Sequence, residues 1–376
     1  MKKVPFFDYP GIYKRFENEF KHIFNDVCSR GSFILQDDLE RFELELSNYL
    51  NVKHVIGVAD GTNAIYLGLK ALDIGVGDEV IISSHTYVAT ANAIEMVGAV
   101  PVFADIDKDN LLCPVSAAEK INSKTKAIMP TQLNGRCANM DELRALANKY
   151  NIHLAEDSAQ GLGARYGEQF AGTFGAFGTL SFYPAKLIGC FGDGGAIMTN
   201  DSILAEKLLA MRDHGRDESG EVTMWGTNSR LDNLQAAFLS LRLKHFNEDI
   251  KRRREIANRY QNGLCHLKTI TLPPAPDITG TNFDVYQNYE CSADNRDELR
   301  SFLQDKGIGT LIQWGGSPVH HFKGLGFGKE KFNNLTRTDL FFEACLMLPM
   351  NMSLTNDDVD YIIENIKNFY QMPERI

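Results

Sequence analysis

Apolar residues recur at helical spacing near the start of the chain. They form two series three or four positions apart, Ile12, Phe16, Phe20 and Ile23, and then Leu39, Phe42, Leu46 and Leu50. This spacing places the apolar side chains on one face of a helix. The pattern therefore predicts two helices between residues 11 and 50.

From about residue 54, short apolar runs alternate with amphipathic segments. Strand-like runs occupy residues 55–58, 80–82, 100–103, 127–129, 152–155, 179–183 and 196–198, and helical spacing marks residues 64–72, 88–97 and 139–150. Such alternation is typical of a mainly parallel sheet with helices on both faces. We therefore predict an α/β fold whose ligands bind at the carboxyl ends of the strands.

Beyond residue 230 the pattern changes to long helical periodicity, which continues past the basic run at 251–254. That run is more often an exposed helix face than a phosphate contact. A proline cluster at 273–276 marks a loop, and short strands and a last helix follow. We predict a large domain of residues 1–250 and a smaller C-terminal α+β domain of residues 251–376.

Composition limits the classes of function. The chain has 376 residues, 44% of them hydrophobic, and its 39 basic and 49 acidic residues give a net charge of -10. This balance disfavours binding to nucleic acid or to an anionic membrane. We expect a cytoplasmic protein, because no apolar run has the length of a signal peptide or a membrane span. The seven scattered cysteines form no CxxC pair, so we expect neither a metal site nor disulfides.

Lys186 is the first candidate for chemistry. It follows the apolar run at 179–183, and a glycine-rich turn at 192–195 leads into the next strand. The glycines permit positive φ and close backbone approach, so a flat ligand could lie over the turn. By itself the lysine is as compatible with a solvated surface residue, which is the common case.

Residues 60–64, DGTNA, lie where a predicted strand gives way to a helix. The backbone amides of a helix start attract anions, Gly61 permits close approach, and Thr62 adds a hydroxyl. These residues suit a phosphate, although an ordinary helix cap is the simpler alternative. Ser181, beside the lysine, is a further hydroxyl for the same phosphate.

A carboxylate ends the strand at 152–155. Asp157 would need a cation to offset its burial, and a protonated pyridine nitrogen is such a cation. Glu156 competes for this role, but strand alternation turns it to the other face. Gln160 is placed to bond a ring hydroxyl, although an ordinary glutamine at a helix start is equally common. Tyr87 could stack on a heteroaromatic ring, although a buried aromatic residue is the alternative.

Two nucleotide-binding motifs are excluded. Residues 324–329, GLGFGK, resemble a phosphate-binding loop, but Glu330 stands in place of the required Ser or Thr. The chain also lacks a GxGxxG segment after a strand, which makes a nicotinamide enzyme improbable. The polar loop at 226–232 suits anion binding or helix capping.

Six motifs, in order and spacing, resemble the DegT/StrS-type sugar aminotransferases. They are DGTNA at 60–64, HTYVATANAI at 85–94, EDSAQ at 156–160, SFYPAK at 181–186, GDGGA at 192–196 and GTNSRLDNLQAA at 226–237. Members of this family are pyridoxal-phosphate enzymes of the aspartate-aminotransferase fold (fold type I), and they act on nucleotide-linked keto sugars. The match covers about residues 30 to 250.

The resemblance implies a role for each residue. Lys186 would be the Schiff-base lysine, Asp157 the partner of the pyridine nitrogen, Gln160 the partner of the ring hydroxyl, and Tyr87 the stacking ring. Gly61, Thr62 and Ser181 would hold the phosphate, joined by Asn228 from the second subunit of a homodimer. Glutamate would be the amino donor. Related sugar dehydratases carry histidine at the lysine position, so Lys186 favours transamination.

The C-terminal part departs from the family pattern. Residues 310–320, TLIQWGGSPVH, replace the His-Tyr-Pro-like segment of many members. Trp314 or His320 could contact the sugar nucleotide, although a packed tryptophan and an ordinary loop histidine are the more common alternatives. The run looks similar to the branch that aminates dTDP-linked 3-keto-6-deoxyhexoses, while the 4-keto branch is the alternative. A dehydratase or a regulator that binds the cofactor without turnover is a weaker alternative. Synthesis of O-antigen, capsule, S-layer or antibiotic sugars would each fit.

Overall fold

The N-terminal segment forms three helices rather than the two predicted. The computed structural model describes residues 2–277, 280–332 and 334–371. The helices are α1 (Tyr9–Arg15), α2 (Glu17–Arg30) and α3 (Asp37–Leu50). The first predicted helix is divided at Phe16, whose φ of -129° and ψ of 28° are not helical. Phe16 and Phe20 still pack together on Phe238, so the apolar series does mark one buried face.

A seven-stranded sheet forms the centre of the protein, in the order β1-β9-β8-β5-β4-β2-β3. Six strands run in one direction, and β9 is antiparallel to both of its neighbours. The predicted mainly parallel α/β sheet is therefore confirmed. Its strands are β1 (His54–Val58), β2 (Glu79–Ser83), β3 (Val100–Ala104), β4 (Thr125–Met129), β5 (His153–Asp157), β8 (Phe177–Ser181) and β9 (Gly195–Thr199), with a small hairpin of β6 (Arg165–Tyr166) and β7 (Gln169–Phe170) inserted before β8.

Helices cover both faces of this sheet. They are α4 (Gly61–Ala71), α5 (Val88–Met96), α6 (Pro114–Lys120), α7 (Met140–Tyr150), α8 (Ser202–Arg212) and α9 (Asn233–Lys244). Strand alternation divides the core: Ile197 packs with α4, α5 and α8, whereas its neighbours Ala196 and Met198 pack with α3 and α9. Because six strands are parallel, the loops after β1, β2, β4, β5 and β8 meet at one edge.

The C-terminal part has its own core. A three-stranded antiparallel sheet, β10-β12-β13, packs with α10, α11 and α13. The elements are α10 (Phe246–Leu264), β10 (Ile270–Thr271), β11 (Asn282–Phe283), β12 (Tyr289–Ala293), α11 (Arg296–Asp305), α12 (Thr336–Ala344), β13 (Cys345–Leu348) and α13 (Asn356–Tyr370).

The predicted boundary between residues 250 and 251 falls inside α10. Ile250 packs in the core of the large part and Tyr260 in the core of the C-terminal part, so this helix belongs to both. Two pairings also cross the boundary: β11 joins β6, and Val4 bridges to Ile308. The division into two domains thus stays a prediction. No helix within the described ranges is both long and apolar enough to cross a membrane.

Candidate active site

A cavity of about 700 Å³ opens at the carboxyl edge of the large sheet, against the C-terminal part. Eight of the ten predicted site residues line it, namely Gly61, Thr62, Tyr87, Asp157, Gln160, Ser181, Lys186 and Trp314. They come from the ends of four strands and the loops that follow them, after β1, β2, β5 and β8, and from the segment that precedes α12. The chain topology therefore brings together residues that are far apart in sequence.

Lys186 lies in the loop after β8. Its backbone N–H donates to the carbonyl of Tyr183 at 2.8 Å, and the Gln287 side chain donates to the carbonyl of Ala185 at 2.8 Å. These bonds fix the loop from both sides. Burial lowers the pKa of the Lys186 amine to about 8, and the nearby Asp157 carboxylate opposes this shift. Neutral amine, which is the nucleophilic form, is thus available near neutral pH.

This lowered pKa gives a prediction for the apoprotein. An ordinary lysine has less than about a thousandth of its amine neutral at pH 7, whereas a pKa near 8 leaves about a tenth neutral. We expect the rate at which the apoprotein captures a carbonyl reagent at Lys186 to rise from pH 6 and to level off just above pH 8. Stopped-flow absorbance across pH 6 to 10 measures this, and a rate that still climbs at pH 10 contradicts it.

Asp157 and Glu156 point to opposite sides of β5, as the alternation predicted. Asp157 faces the cavity with 4% of its surface exposed. Its carboxylate accepts from Thr90 Oγ1 at 2.6 Å and from the Ala159 N–H at 3.1 Å. Glu156 is fully buried and accepts from Gln132 and from the N–H groups of Gly172 and Phe174. Glu156 therefore stabilises the loop after β7, and Asp157 is the carboxylate open to a ligand.

The start of α4 forms a cradle beside Ser181. The Asp60 side chain caps the helix by accepting from the Asn63 N–H at 2.9 Å, so the ordinary helix cap is also present. Within the described chain, no acceptor meets the N–H groups of Gly61 and Thr62. A Cβ on Gly61 would stand 2.9 Å from the Ser181 Cβ. Two free amides and two hydroxyls thus surround a space suited to a phosphate.

The glycine-rich turn at 192–195 corrects one expectation. None of its glycines has a positive φ. Close approach is the reason for glycine here, because a Cβ on Gly195 would lie 2.5 Å from the carbonyl carbon of Asp60. The turn therefore packs directly behind the phosphate cradle.

Gln160 is oriented by its neighbours. Its Oε1 accepts from the Asn134 N–H at 2.9 Å and lies 3.4 Å from the Asn288 Nδ2. With the oxygen engaged, the amide nitrogen is the part free to donate into the cavity. Tyr87 is 55% exposed at the opposite wall, and its ring lies 6.2 Å from that of Trp314. Both aromatic side chains are thus available to a ligand.

His320 does not line the cavity, which corrects the expected contact with a sugar nucleotide. The side chain is fully buried, with Nδ1 2.7 Å from Ser84 Oγ and Nε2 3.0 Å from Asp339 Oδ1. Burial and the adjacent His321 lower the pKa of His320 to about 4. His320, His321 and Asp339 have ligand atoms within 4.8 Å of one another, and the Lys329 ammonium lies 3.5 Å from Asp339, so this cluster already contains a cation.

Asn228 is likewise outside the cavity of its own chain. It lies on the exposed loop between α8 and α9, where it bridges to Asp213. The family resemblance implies that Asn228 contacts the cofactor phosphate in the second subunit of a homodimer. Because Asn228 is exposed, its position allows such a contact.

Sequence reasoning missed several residues at the site. Thr90 bonds Asp157, and its spacing after Tyr87 on the same helix start could have revealed it. The sequence around four further amide side chains gave no sign of a role at the site, because polar amides are common in loops and the partners of these residues are more than 100 residues away or on another element. They are Asn134, Gln287, Asn288 and Gln313. Tyr183 and Asp193 also line the cavity.

Two curated sugar aminotransferases are similar in sequence to this chain over nearly its whole length. A curated relative from Streptomyces venezuelae, dTDP-3-amino-3,4,6-trideoxy-alpha-D-glucose transaminase, is 37% identical over 98% of this chain and 96% of its own length. UDP-2-acetamido-2-deoxy-3-oxo-D-glucuronate aminotransferase of Pseudomonas aeruginosa is 36% identical over 97% of this chain and 100% of its own.

Solved structures match equally well. The crystal structure of S. venezuelae DesV in complex with a ketimine intermediate has a TM-score of 0.94 at 36% identity, covering 99% of this chain and 100% of that one. Bacillus subtilis NtdA with bound cofactor PMP has a TM-score of 0.91 at 30% identity, covering 99% and 86%. The family model for the DegT/DnrJ/EryC1/StrS aminotransferase family matches residues 14–367. The chain therefore belongs to this family and is a pyridoxal-phosphate-dependent aminotransferase that acts on nucleotide sugars.

Proposed function

We propose that this enzyme transfers an amino group from glutamate to a dTDP-linked 3-keto-6-deoxyhexose. One observation carries the proposal: Lys186, Asp157 and the first residues of α4 line the same cavity. An amine of lowered pKa, a buried carboxylate and a phosphate site are the three groups that pyridoxal phosphate requires. The residues present therefore fit the cofactor.

Each residue then has a defined task. When bound, pyridoxal phosphate supplies an aldehyde that captures amines and a ring that accepts an electron pair. Lys186 would hold this aldehyde through its amine, and the same amine would serve as the base that takes the proton from the α-carbon of the amino donor and as the acid that returns it. Asp157 keeps the pyridine nitrogen protonated. Gln160 donates to the ring hydroxyl oxygen, Tyr87 covers the ring, and Gly61, Thr62 and Ser181 bind the phosphate.

The position of the keto group is supported by the names of the relatives. Both curated relatives described above are named for sugars with nitrogen or oxygen at carbon 3, although one carries dTDP and the other UDP. Leu311, Trp314 and Met347 form an apolar wall of the cavity. This wall suits the methyl group of a 6-deoxy sugar.

A panel of keto sugars tests the substrate. Purified enzyme with glutamate would be offered dTDP-3-keto-6-deoxyglucose, its 4-keto isomer, and UDP- and GDP-linked keto sugars. We expect the dTDP 3-keto sugar to give the highest kcat/KM. A preference for the 4-keto isomer would replace the proposed keto position, and a preference for UDP or GDP would replace the nucleotide.

A homodimer with shared active sites is part of the proposal, and charge supports it. Among the described residues that line the cavity, Lys186 is the one cation, beside the carboxylates of Asp60, Asp157 and Asp193. Glutamate, the cofactor phosphate and a nucleotide diphosphate all bring negative charge. A second subunit would supply the missing positive groups. The loop that carries Asn228 also exposes Trp225 by 87% and Val222 by 64%, as an interface segment does.

Mixing two inactive variants tests the shared site. Lys186→Ala removes the amine, and Asn228→Asp places a negative charge where the phosphate of the other subunit would bind. We expect each variant to be inactive alone. Coexpression should restore about a quarter of the wild-type activity, because half of the dimers are mixed and each has one complete site. Full activity of Asn228→Asp alone, or inactive mixed dimers, would refute the shared site.

The free cysteines support a cytoplasmic location, which we also propose. All seven are unpaired thiols in the structure, as is usual in a reducing compartment. The pathway that uses the amino sugar, whether for O-antigen, capsule, S-layer or antibiotic synthesis, follows from the product identified by the sugar panel.

A further inference from the structure

Glu290 is a buried carboxylate that the proposed reaction does not use. It lies on β12, where Tyr289 and Cys291 point into the apolar core and Glu290 points to the opposite face. Only 6% of its surface is exposed. Burying a carboxylate is unfavourable unless donors surround it, so the partners of Glu290 indicate what it does.

We propose that Glu290 is a positioning residue that fixes two walls of the active-site cavity relative to each other. Gln160 belongs to the wall that faces the cofactor, and Trp314 belongs to the wall that faces the sugar. The inference rests on the proposed function for the identity of the ligands. Its structural basis is that one carboxylate accepts from Asn134, which lies behind the cofactor wall, and from Gln313, which is part of the sugar wall. Neither Glu290 nor its partner Asn134 is among the residues that line the cavity.

The first connection runs to the cofactor wall. Asn134 Nδ2 donates to Glu290 Oε2 at 2.6 Å, and the Asn134 N–H donates to Gln160 Oε1 at 2.9 Å. Asn288 Nδ2 donates to Asn134 Oδ1 at 2.8 Å and closes the network. Glu290 therefore anchors Asn134, and Asn134 turns the Gln160 amide so that its nitrogen faces the cavity.

Asn134 occupies this place at some conformational cost. Its φ of 58° lies in the left-handed region, which asparagine tolerates better than most residues. The bond from its side chain to Glu290 compensates for this strain. Loss of that bond would release the turn at residues 133–135, and the orientation of Gln160 with it.

The second connection runs to the sugar wall. In the amide orientation that satisfies both groups, Gln313 Nε2 donates to Glu290 Oε1 at 2.7 Å and lies 3.2 Å from Oε2. The next residue, Trp314, also has a left-handed φ of 49° and lines the cavity. Holding Gln313 therefore fixes the turn from which the Trp314 ring projects.

His85 supports the same wall. Its Nε2 lies 3.4 Å from Glu290 Oε2, and its Nδ1 lies 2.8 Å from the carbonyl of Asn110. The His85 ring packs 5.6 Å from the Trp314 ring, between centroids. Glu290 thus faces three polar side chains: Gln313, which lines the cavity, and Asn134 and His85, which lie behind its walls.

Glutamine at position 290 would not replace the carboxylate. It has nearly the same shape, but its single carbonyl oxygen can face either Asn134 or Gln313, and its amide hydrogens then meet the other donor. Loss of one such charge-assisted hydrogen bond corresponds to a change of about ten- to a hundredfold in an equilibrium constant, such as that for binding of the cofactor or the sugar.

Three variants separate the two connections. Glu290→Gln weakens both, Asn134→Gly keeps the left-handed turn but removes its side chain, and Gln313→Leu removes the second donor. We expect Asn134→Gly to weaken cofactor binding about tenfold and to shift the absorbance of the bound cofactor. Gln313→Leu should raise KM for the keto sugar about tenfold with kcat within a few-fold of wild type. Glu290→Gln should show both effects.

Glu298→Gln is the matched control, because Glu298 is exposed on α11 of the same part of the chain. We expect it to equal wild type in every measurement. Circular dichroism checks that each variant is folded. The inference is overturned if folded Glu290→Gln has wild-type cofactor absorbance and sugar KM, or if it changes kcat alone. If Glu290→Gln does not fold, the Asn134 and Gln313 variants decide: wild-type behaviour of both overturns the inference.

The cofactor measurements need no sugar, so they distinguish this inference from the proposed substrate. If the wild-type enzyme turned over none of the keto sugars, the proposed function would be refuted. The inference would then be judged on the cofactor absorbance and affinity of Glu290→Gln and Asn134→Gly.

Discussion

Replacing Lys186 with alanine should lower kcat by at least about a thousandfold, because in the proposed mechanism both the attachment of the cofactor and the proton transfer depend on this amine. The loop that carries Lys186 is fixed by two hydrogen bonds, from the Lys186 N–H to the carbonyl of Tyr183 and from the Gln287 side chain to the carbonyl of Ala185. The substitution leaves both bonds in place. The fold should therefore be retained. Turnover with glutamate and the preferred keto sugar measures the loss, and the visible absorbance of the lysine-bound cofactor should vanish with it.

The control for this experiment is Lys149→Ala, since Lys149 is exposed on α7 and is not among the residues that line the cavity. It should behave as wild type. A Lys186→Ala protein that retains more than a few per cent of the wild-type turnover would show that another group carries the proton. In that case the assignment of Lys186 would be wrong even though the cofactor binds.

Asp157→Asn is expected to reduce kcat by about a hundredfold or more while leaving stability nearly unchanged. The amide has the shape of the carboxylate and can still accept from Thr90, but it carries no charge to keep the pyridine nitrogen protonated. The ring then becomes a poorer acceptor of electrons. Turnover under saturating substrates gives the kinetic effect, and urea denaturation gives the free energy of unfolding.

Glu156→Gln provides the contrasting result for the adjacent residue. Glu156 accepts from one side-chain and two backbone donors in a fully buried position, and glutamine would place amide hydrogens against one of them. The free energy of unfolding should fall by about 1–3 kcal/mol. Turnover per folded molecule should stay close to wild type. If the two variants exchanged these phenotypes, the roles of Asp157 and Glu156 would have to be exchanged as well.

The sequence specified most of the large sheet because its signals are local. Apolar runs of strand length marked β1 to β5, β8 and β9, and period-two alternation separated Asp157 from Glu156 on adjacent positions of one strand. Helix boundaries were less certain. Phe16 belongs to an uninterrupted apolar series, yet its backbone breaks the helix, because hydrophobic spacing does not report backbone angles.

The motifs also supplied seven of the eight predicted residues that line one cavity, and Trp314 joins them from outside the motifs. This succeeded because parallel strands deliver their following loops to a common edge, whatever the length of chain between them. His320, a candidate on the basis of the C-terminal run, does not reach the cavity. A histidine two residues after a proline has no sequence signal for burial, and only the packing of Ser84 and Asp339 around it removes it from the cavity.

The sequence by itself thus determined the α/β class and predicted the lysine, the carboxylate and the helix start that line the cavity, since each depends on residues close together along one strand, turn or helix start. Tertiary structure decided the rest. The antiparallel direction of β9, the sharing of α10 between two cores and the convergence of Asn134, Gln313 and His85 on Glu290 all depend on contacts between distant segments. Such contacts form only when the whole chain packs, so no local pattern encodes them.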